Sequence, residues 1–507
     1  MSTLRAALLL LVAAAAAMLP QALLLDWTGT EGRRVQIALE MLQTGNYVVP
    51  TLFFEPTFAK PPLHYWILCG AASLLGEGHL ALRLPSMLAV WLLATLAFAL
   101  QRRAFSETAG WIAALGIVCS PLVVHSFPTA EIDPIFACLT AGSICLLAYG
   151  ASRDSGAYLL LAGCVGAFAL LSKGVPYLMF AFGAWTVWIR HRRMRGALFY
   201  FVPLLALPLA WVLLLRADPA NAAAAEVAGR ETVGRLAGYQ WKHLWDLPSY
   251  FLRAALIQAP FVFWCFWEHR GKRDARMGAD DLLLRMCSGA AIVAVFVLAL
   301  FPQKPTRYLL PNVPLFTFAV APAAAHYALY AGRIGAIGQV SLRVLGVLGA
   351  LMLLALPWVP APIPPRTPVL ALALALLPFA VRTPRALIAM CLWLPLLANW
   401  TALADWRERW MVGPRAVEPY APILQSELRR IGAAPESVEG YGHVHGSLLL
   451  GAGLLPTGQE ETHRAPQKNF VLRESVGVPP LGSAFAERLR LRAGNLVFVV
   501  EERNAPK

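Results

Sequence analysis

Charge is scarce in this chain. Only 14% of its 507 residues are Asp, Glu, Lys or Arg, against 58% hydrophobic residues, and the mean hydropathy is +0.58. That balance excludes an ordinary soluble globular protein. Cysteine is scarce as well. All eight cysteines lie in apolar segments, from Cys69 to Cys391, with no CxxC spacing and none in the C-terminal tail. A disulfide framework and a zinc ribbon are thereby excluded, and the thiols read as buried and inert. Internal repeats, low-complexity segments, a nucleotide-binding glycine loop and a Ser/His/Asp arrangement are also missing. The one metal-like feature, His443-Val-His445, lacks the further ligands that a zinc site needs.

What fills the chain is apolar runs of membrane-spanning length. About thirteen are legible: 5–25, 83–101, 109–125, 134–150, 156–171, 175–189, 198–216, 250–267, 282–301, 309–325, 343–359, 368–381 and 386–403. The expected architecture is an α-helical integral membrane protein with about thirteen transmembrane helices. The first run is close to a full span and is followed at once by a helix, so it reads as an uncleaved span, not a signal peptide. Arginine sets the orientation. With the N-terminus cytoplasmic, Arg102-Arg103, Arg190 to Arg195, Arg270 to Arg276, Arg333, Arg343, Arg382 and Arg385 all fall inside. The net charge of +14 is then mostly this inside bias and calls for no nucleic acid. An odd number of spans places the tail outside.

The stretch richest in chemistry is the first outer loop, residues 26–82. Thr28, Glu31, Arg33 and Arg34 open an amphipathic helix in which Val35, Leu39 and Leu42 recur at helical spacing. Gly45-Asn46 turns the chain, Pro50 and Pro56 keep it extended, and Lys60-Pro61-Pro62 leads into a second apolar helix from Leu63 to Leu75. Such a loop can hold a carboxylate, Glu31, and an ammonium, Lys60, beside a lipid headgroup. Thr28-Gly-Thr-Glu31 also fits a capping box, which gives Glu31 a structural alternative. At the next span Arg83 can sit at headgroup level, with Pro85 in the first helical turn.

Further charges gather at outward span ends. Glu131 and Asp133 precede the fourth span, where Asp133 before Pro134 also reads as an N-cap. Lys173 lies in a tight outer turn and is a natural point-charge partner for phosphate. Lys304, Arg307 and Tyr308 form an anion clamp at a span mouth, although Tyr308 also suits an aromatic belt. The 217–249 loop supplies Glu231 and Arg235, readable either as an i,i+4 pair on a solvated helix or as part of a flap. Together these cations point to an anionic lipid-linked ligand on the outer side.

After the last span the composition turns polar. Residues 404–507 read as a small α/β domain, with a helix near 417–431, strands at 469–473 and 496–501, and another helix from Ala484 to Arg492. The domain division is therefore 1–403 in the membrane and 404–507 outside.

Taken in order, TEGRRVQIALEML, TGNYVVP, EPTFAKPPLHYW and ARLPS, followed by LLSKG and KPTRYLLP, resemble the glycosyltransferase-C superfamily. Within it the chain is most similar to the aminoarabinose transferases of lipid A and related polyprenyl-phosphate-sugar transferases, and more distantly to protein O-mannosyltransferases. The resemblance covers residues 1–325. It implies an inverting glycosyltransferase that moves one sugar from an undecaprenyl-phosphate donor to lipid A or another periplasmic glycan or protein. It also implies a bacterial inner-membrane location with the active site and tail periplasmic. The family's loop begins with an Asp-Glu pair, and here the matching residues are Thr30-Glu31, so the first acid is absent and Glu31 or Asp26 stands in its place. Asp133, with Glu131 close by, matches the second acid, and Lys60 matches the donor-phosphate lysine. Arg307 and Tyr308 fall where further phosphate contacts are expected, joined by Lys173 and Lys304. Arg33, Arg34, Glu231 and Arg235 are candidates for the acceptor side. Glu31, Asp133 or Glu131 would act as general base toward a hydroxyl acceptor, whereas an ionised phosphate acceptor needs none. No cofactor or metal is demanded, because no nucleotide diphosphate takes part. A multi-pass lipid or glycan transporter or flippase is the alternative. It would favour paired halves and ionisable residues at mid-membrane, but here such residues sit at span ends.

Overall fold

The computed structural model describes residues 2–24, 27, 30–52, 55–57, 60–191, 196–217, 245–251, 278–300, 306–331, 336–355 and short stretches between 372 and 389. In the tail it describes 420–434, 437–441, 458–459, 469–474, 485–493 and 496–504. In chain order the principal described helices are α1 (Thr3–Leu24), α2 (Glu31–Thr44), α3 (Leu63–Leu75), α4 (His79–Ala104), α5 (Glu107–Val118), α6 (Pro121–Ser126) and α7 (Ile132–Arg153). They continue with α8 (Gly156–Lys173), α9 (Pro176–Arg190), α10 (Ala197–Arg216), α11 (Gly278–Ala299), α12 (Asn312–Tyr330), α13 (Ala336–Ala355) and α14 (Ala421–Arg430).

Among the described residues seven helices, α1, α4, α7, α8, α10, α11 and α12, are long and apolar enough to cross a membrane. The chain is a multi-pass membrane protein. Of the thirteen expected runs, 109–125 is divided between α5 and α6, because Ser120-Pro121 restarts the helix. The run 175–189 is the 15-residue α9. Most of 250–267, 368–381 and 386–403 lies outside the described residues. Helix α4 starts at His79, so Pro85 falls beyond its first turn, and Arg83 lies within the helix.

Helix α7 is the central column. It packs against α4, α8, α9, α11 and α12, and 94% of its apolar window is buried, against 17% for α10. Small residues let neighbours approach closely. A Cβ added at Gly163 in α8 would lie 2.2 Å from the Tyr200 carbonyl oxygen of α10, and one at Gly183 in α9 would lie 2.4 Å from the Gly289 oxygen of α11. A hydroxyl chain joins three helices at the same level: Tyr177 Oη lies 2.8 Å from Ser143 Oγ and 2.7 Å from Tyr200 Oη.

The segment between α1 and α4 carries the two helices and the turn that the sequence suggests. Helix α2 ends where Gly45 adopts φ +69° and donates its N–H to the Met41 carbonyl, a left-handed cap that glycine takes without strain. Asn46 Oδ1 then accepts the N–H groups of Val48 and Val49, each at 3.1 Å, turning the chain into the short hairpin β1 (Thr51–Leu52) and β2 (Glu55–Pro56). Val35, Ala38 and Met41 of α2 pack with Tyr65, Leu68 and Ala72 of α3.

The tail carries a five-stranded sheet in the order β4-β3-β5-β7-β6, made of β3 (Val438–Tyr441), β4 (Gly458–Gln459), β5 (Phe470–Glu474), β6 (Phe485–Ala493) and β7 (Leu496–Arg503). Strand β5 is parallel to β3 and antiparallel to β7, with Leu472 opposite Val500. Ala421, Leu424 and Leu428 of α14 cover Phe470, Leu472, Phe498 and Val500. The helix near 417–431 and both expected strands are found, but the helix expected from Ala484 to Arg492 is strand β6. There Leu489 and Leu491 alternate with Arg488, Arg490 and Arg492, a period of two reinforced by pairing along β7.

Candidate functional site

One cavity of about 110 Å³ opens where α2, the Lys60 segment, the start of α7, the end of α8 and the 3-10 turn Thr306–Leu309 converge. It is lined by Thr30, Arg33, Arg34, Lys60, Glu131, Ile132, Asp133, Lys173, Arg307 and Tyr308. Five basic and two acidic side chains thus face one cavity. Segments separated by more than a hundred residues supply them, each from at or near a helix end.

Asp133 is the organising carboxylate. It sits in the first turn of α7, where a negative charge meets the positive end of the helix. Its side chain pairs with Lys173, and Arg307 Nε lies 3.7 Å from its second oxygen. Lys173 is also seated over the Tyr308 ring, 4.2 Å from its centroid, a favourable place for an ammonium. The expected N-cap role of Asp133 is corrected: Glu131 is the N-cap residue of α7, and Asp133 lies one residue inside the helix. Its charge is committed to the cations.

Glu131 turns the other way. Both of its oxygens accept from Thr30 Oγ1, at 2.8 and 2.7 Å, and Oε1 also accepts the Thr30 N–H at 2.6 Å. Burial pushes this carboxyl above its ordinary range, opposed by the Arg34 charge and the Thr30 hydrogen bonds. Arg34 in turn donates to Tyr65 Oη at 3.2 Å. Burial works against the Arg34 charge, but Tyr65, Glu131 and Asp133 outweigh it and hold the guanidinium pKa above its usual value.

Glu31, expected as a base, does not line the cavity. It is fully buried behind it, accepting from Arg83 Nε at 3.0 Å and Arg83 Nη2 at 2.9 Å, and from the Ala130 N–H at 2.6 Å. Arg83 is likewise buried, with Nη1 donating to the Ala22 carbonyl and its guanidinium 5.3 Å from the Trp27 ring. The headgroup position expected for Arg83 is therefore corrected, since a buried guanidinium needs an internal partner and Glu31 is that partner. Glu31 is the first residue of α2, and no side-chain hydrogen bond caps that helix. Thr28 and Asp26 lie outside the described residues, as do Lys304, Glu231, Arg235 and the His443–His445 pair. The cavity thus collects Glu131, Asp133, Lys60, Lys173, Arg307, Tyr308, Arg33 and Arg34 of the expected set. Sequence reasoning missed Thr30 and Ile132 as lining residues, and missed the Glu31–Arg83 pair. The only hint of that pair was an arginine inside an apolar run.

Among the described residues no group of His, Cys, Asp and Glu is arranged to hold a metal ion. The cavity's chemistry is that of an anion site: five cations and two hydroxyl groups beside the carboxylates Glu131 and Asp133.

Residues 59–215 match the profile of the family described as dolichyl-phosphate-mannose-protein mannosyltransferase. Over its full length the chain superposes on ArnT from Cupriavidus metallidurans bound to undecaprenyl phosphate, with a TM-score of 0.72 and 17% identity, covering 99% of this chain and 98% of that one. The two chains share one fold. Sequence relatives of this fold include the undecaprenyl phosphate-alpha-4-amino-4-deoxy-L-arabinose arabinosyl transferase of Edwardsiella ictaluri (strain 93-146). It is 31% identical over 200 residues, 37% of this chain and 36% of that protein. The enzyme of the same description from Yersinia enterocolitica is 34% identical over 176 residues, 33% of this chain and 31% of that protein. The matched part thus spans about a third of each relative's own length. Lys60, Glu131, Asp133 and Lys173 fall inside the profile match, whereas Arg307 and Tyr308 lie beyond it.

Proposed function

We propose that this chain is an inverting glycosyltransferase that moves a single sugar from a polyprenyl-phosphate donor to lipid A or a similar anionic acceptor. The observation that carries the reading is the convergence of Lys60, Lys173 and Arg307 with Asp133 in one cavity at the N-terminal end of α7. The fold and the named relatives support it. The proposed division is a membrane-embedded catalytic part, residues 1–403, and an external α/β domain, 404–507. The N-terminus is cytoplasmic, and the cavity and tail are periplasmic at the inner membrane, in line with the arginine bias.

In this reaction an acceptor oxygen attacks the anomeric carbon from the face opposite the phosphate. The bond between that carbon and the phosphate oxygen breaks, and the leaving polyprenyl phosphate takes the electron pair. Charge therefore grows on the phosphate as the bond lengthens. Lys60, Lys173 and Arg307 stabilise it, with Lys173 already held in place by Asp133 and the Tyr308 ring. Asp133 positions Lys173 and Arg307. Arg33 and Arg34, on the α2 side, face the acceptor. An ionised phosphate acceptor attacks without a base. Toward a hydroxyl acceptor Glu131 is the better base, since burial raises its affinity for a proton. Glu31 is not assigned this role, because its carboxylate is committed to Arg83 and Ala130.

The test is turnover by the purified protein in lipid nanodiscs, given undecaprenyl-phosphate aminoarabinose and lipid A, with products read by mass spectrometry. The expected result is a single-sugar mass increment on lipid A with release of undecaprenyl phosphate, lost in Asp133→Asn. Intact donor in every condition would overturn the reading. Donor that crosses a vesicle bilayer without cleavage would instead establish the flippase alternative.

A further inference from the structure

The link that feeds α7 is gripped from two sides at a single residue. The Ala130 N–H donates to Glu31 Oε1 at 2.6 Å, and the Ala130 carbonyl oxygen lies 2.9 Å from His64 Nε2. Ala130, Glu31 and His64 are all fully buried. Glu31 opens α2, and His64 stands in α3, four residues after Lys60. Among the described residues many turns and caps close their peptide groups on other backbone groups. Here a carboxylate and an imidazole, each costly to bury, are spent on one alanine. His64 serves as the neutral donor: burial drives its pKa down to about 3, with the Arg34 charge adding to the effect and Ala130 and Asp133 opposing it. The residues that follow the gripped peptide are Glu131 and Asp133.

We propose that Glu31 and His64 are positioning residues that clamp the Ala130 peptide and so hold Asp133 and Glu131 in register with Lys60 during glycosyl transfer. The inference rests on the reading given under Proposed function. His64 and Lys60 share one short segment, so the clamp ties the donor-phosphate lysine to the start of α7. Arg83 completes it by neutralising Glu31 from behind. A displacement of about 1 Å in such a constellation is worth about 100-fold in rate, without altering how the donor's lipid chain is bound.

The experiment uses the full chain in nanodiscs as wild type, His64→Leu, His64→Gln and the double variant Glu31→Gln with Arg83→Met. It reads kcat and KM for undecaprenyl-phosphate aminoarabinose, and hydrogen–deuterium exchange of the peptide covering residues 126–134. His64→Leu removes the donor, and kcat is expected to fall about 100-fold with KM changed less than about twofold and exchange over 126–134 accelerated. His64→Gln restores an N–H and is expected to recover kcat to within about fivefold with near wild-type exchange. Wild-type kcat and exchange in His64→Leu would overturn the proposal, as would a glutamine variant no better than leucine. Should His64→Leu fail to assemble, Glu31→Gln combined with Arg83→Met, which strands no buried charge, decides. It keeps the acceptor but weakens it, so a kcat loss of about tenfold with faster local exchange is expected, and unchanged values would refute the clamp. If wild type turns over no polyprenyl-phosphate sugar, the transfer reading falls. The exchange data then still judge the clamp, which stands only if acceleration is confined to residues 126–134.

Discussion

Removing Arg83 isolates a buried charge, and the size of the effect follows from the contacts. Its guanidinium places Nε and Nη2 on the two Glu31 oxygens at 3.0 and 2.9 Å and Nη1 on the Ala22 carbonyl at 3.0 Å. The two side chains are 1% and 0% exposed. In Arg83→Met the aliphatic volume is largely kept, but Glu31 loses its counter-ion in a place water does not reach. Breaking one side of such a pair costs about 3–5 kcal/mol. Replacing Glu31 by Gln in the same background removes the stranded charge while its amide oxygen still accepts the Ala130 N–H. The double variant is therefore expected to be more stable than Arg83→Met by about 2 kcal/mol. Unfolding of the four proteins of the cycle in mixed micelles of mild detergent and dodecyl sulfate, followed by tryptophan fluorescence, measures the coupling. A cost for Arg83→Met below about 1 kcal/mol, or a double variant less stable than the single, would refute the assignment of Arg83 as the buried partner of Glu31.

Acid should act through His64. Its folded pKa of about 3 lies below the ordinary imidazole value of 6.5, so the stability it contributes is complete above 6.5 and is lost as pH falls toward 3. Relative to His64→Gln, wild type is expected to lose about 2 kcal/mol between pH 7.5 and 5, and parallel stability curves would contradict this. Gly163→Ala brings a Cβ within 2.2 Å of the Tyr200 oxygen and 2.7 Å of Pro203 Cγ and should destabilise the α8–α10 contact by about 1–3 kcal/mol. Gly142→Ala, whose new Cβ meets nothing closer than 3.8 Å, should be tolerated. Equal unfolding midpoints for the two would argue against the close approach.

The site was legible in the sequence to the extent that charge at a span end is costly and therefore meaningful. Lys60, Asp133, Lys173 and Arg307 stand out in an apolar chain, and all line the cavity. Which charges pair with which was not legible, because pairing depends on how helices cross. Glu31 looked equivalent to Asp133 by spacing, yet α2 aims it at Arg83, 52 residues away in sequence, and away from the cavity. Thr30, half hidden between stronger candidates, is the residue whose hydroxyl reaches Glu131. The Ala484–Arg492 error has a different cause. A run of arginine and leucine has good helix propensity, but propensity yields to the partner strand, and the alternation of Leu489 and Leu491 was the better guide. Helix ends were displaced by a few residues for the same reason that made Asp133 look like a cap: the start of α7 is set by contacts from α2, not by local sequence alone.

Helices α7 and α10 live in different solvents. One is wrapped by other helices almost along its whole length, while the other turns most of its leucines and phenylalanines outward. Lipid tails rearrange around any apolar shape, so an outward position on α10 obeys only a rule of kind, and one aliphatic residue serves about as well as another. Neighbouring helices do not rearrange, so each position on α7 obeys a rule of volume, in which a single added methylene is resisted. The same wrapping lets α7 carry Thr140, Ser143 and Ser152 without facing them to hydrocarbon. It also leaves α10 to meet a change in bilayer thickness directly, while the helix that bears Asp133 meets it only through its neighbours.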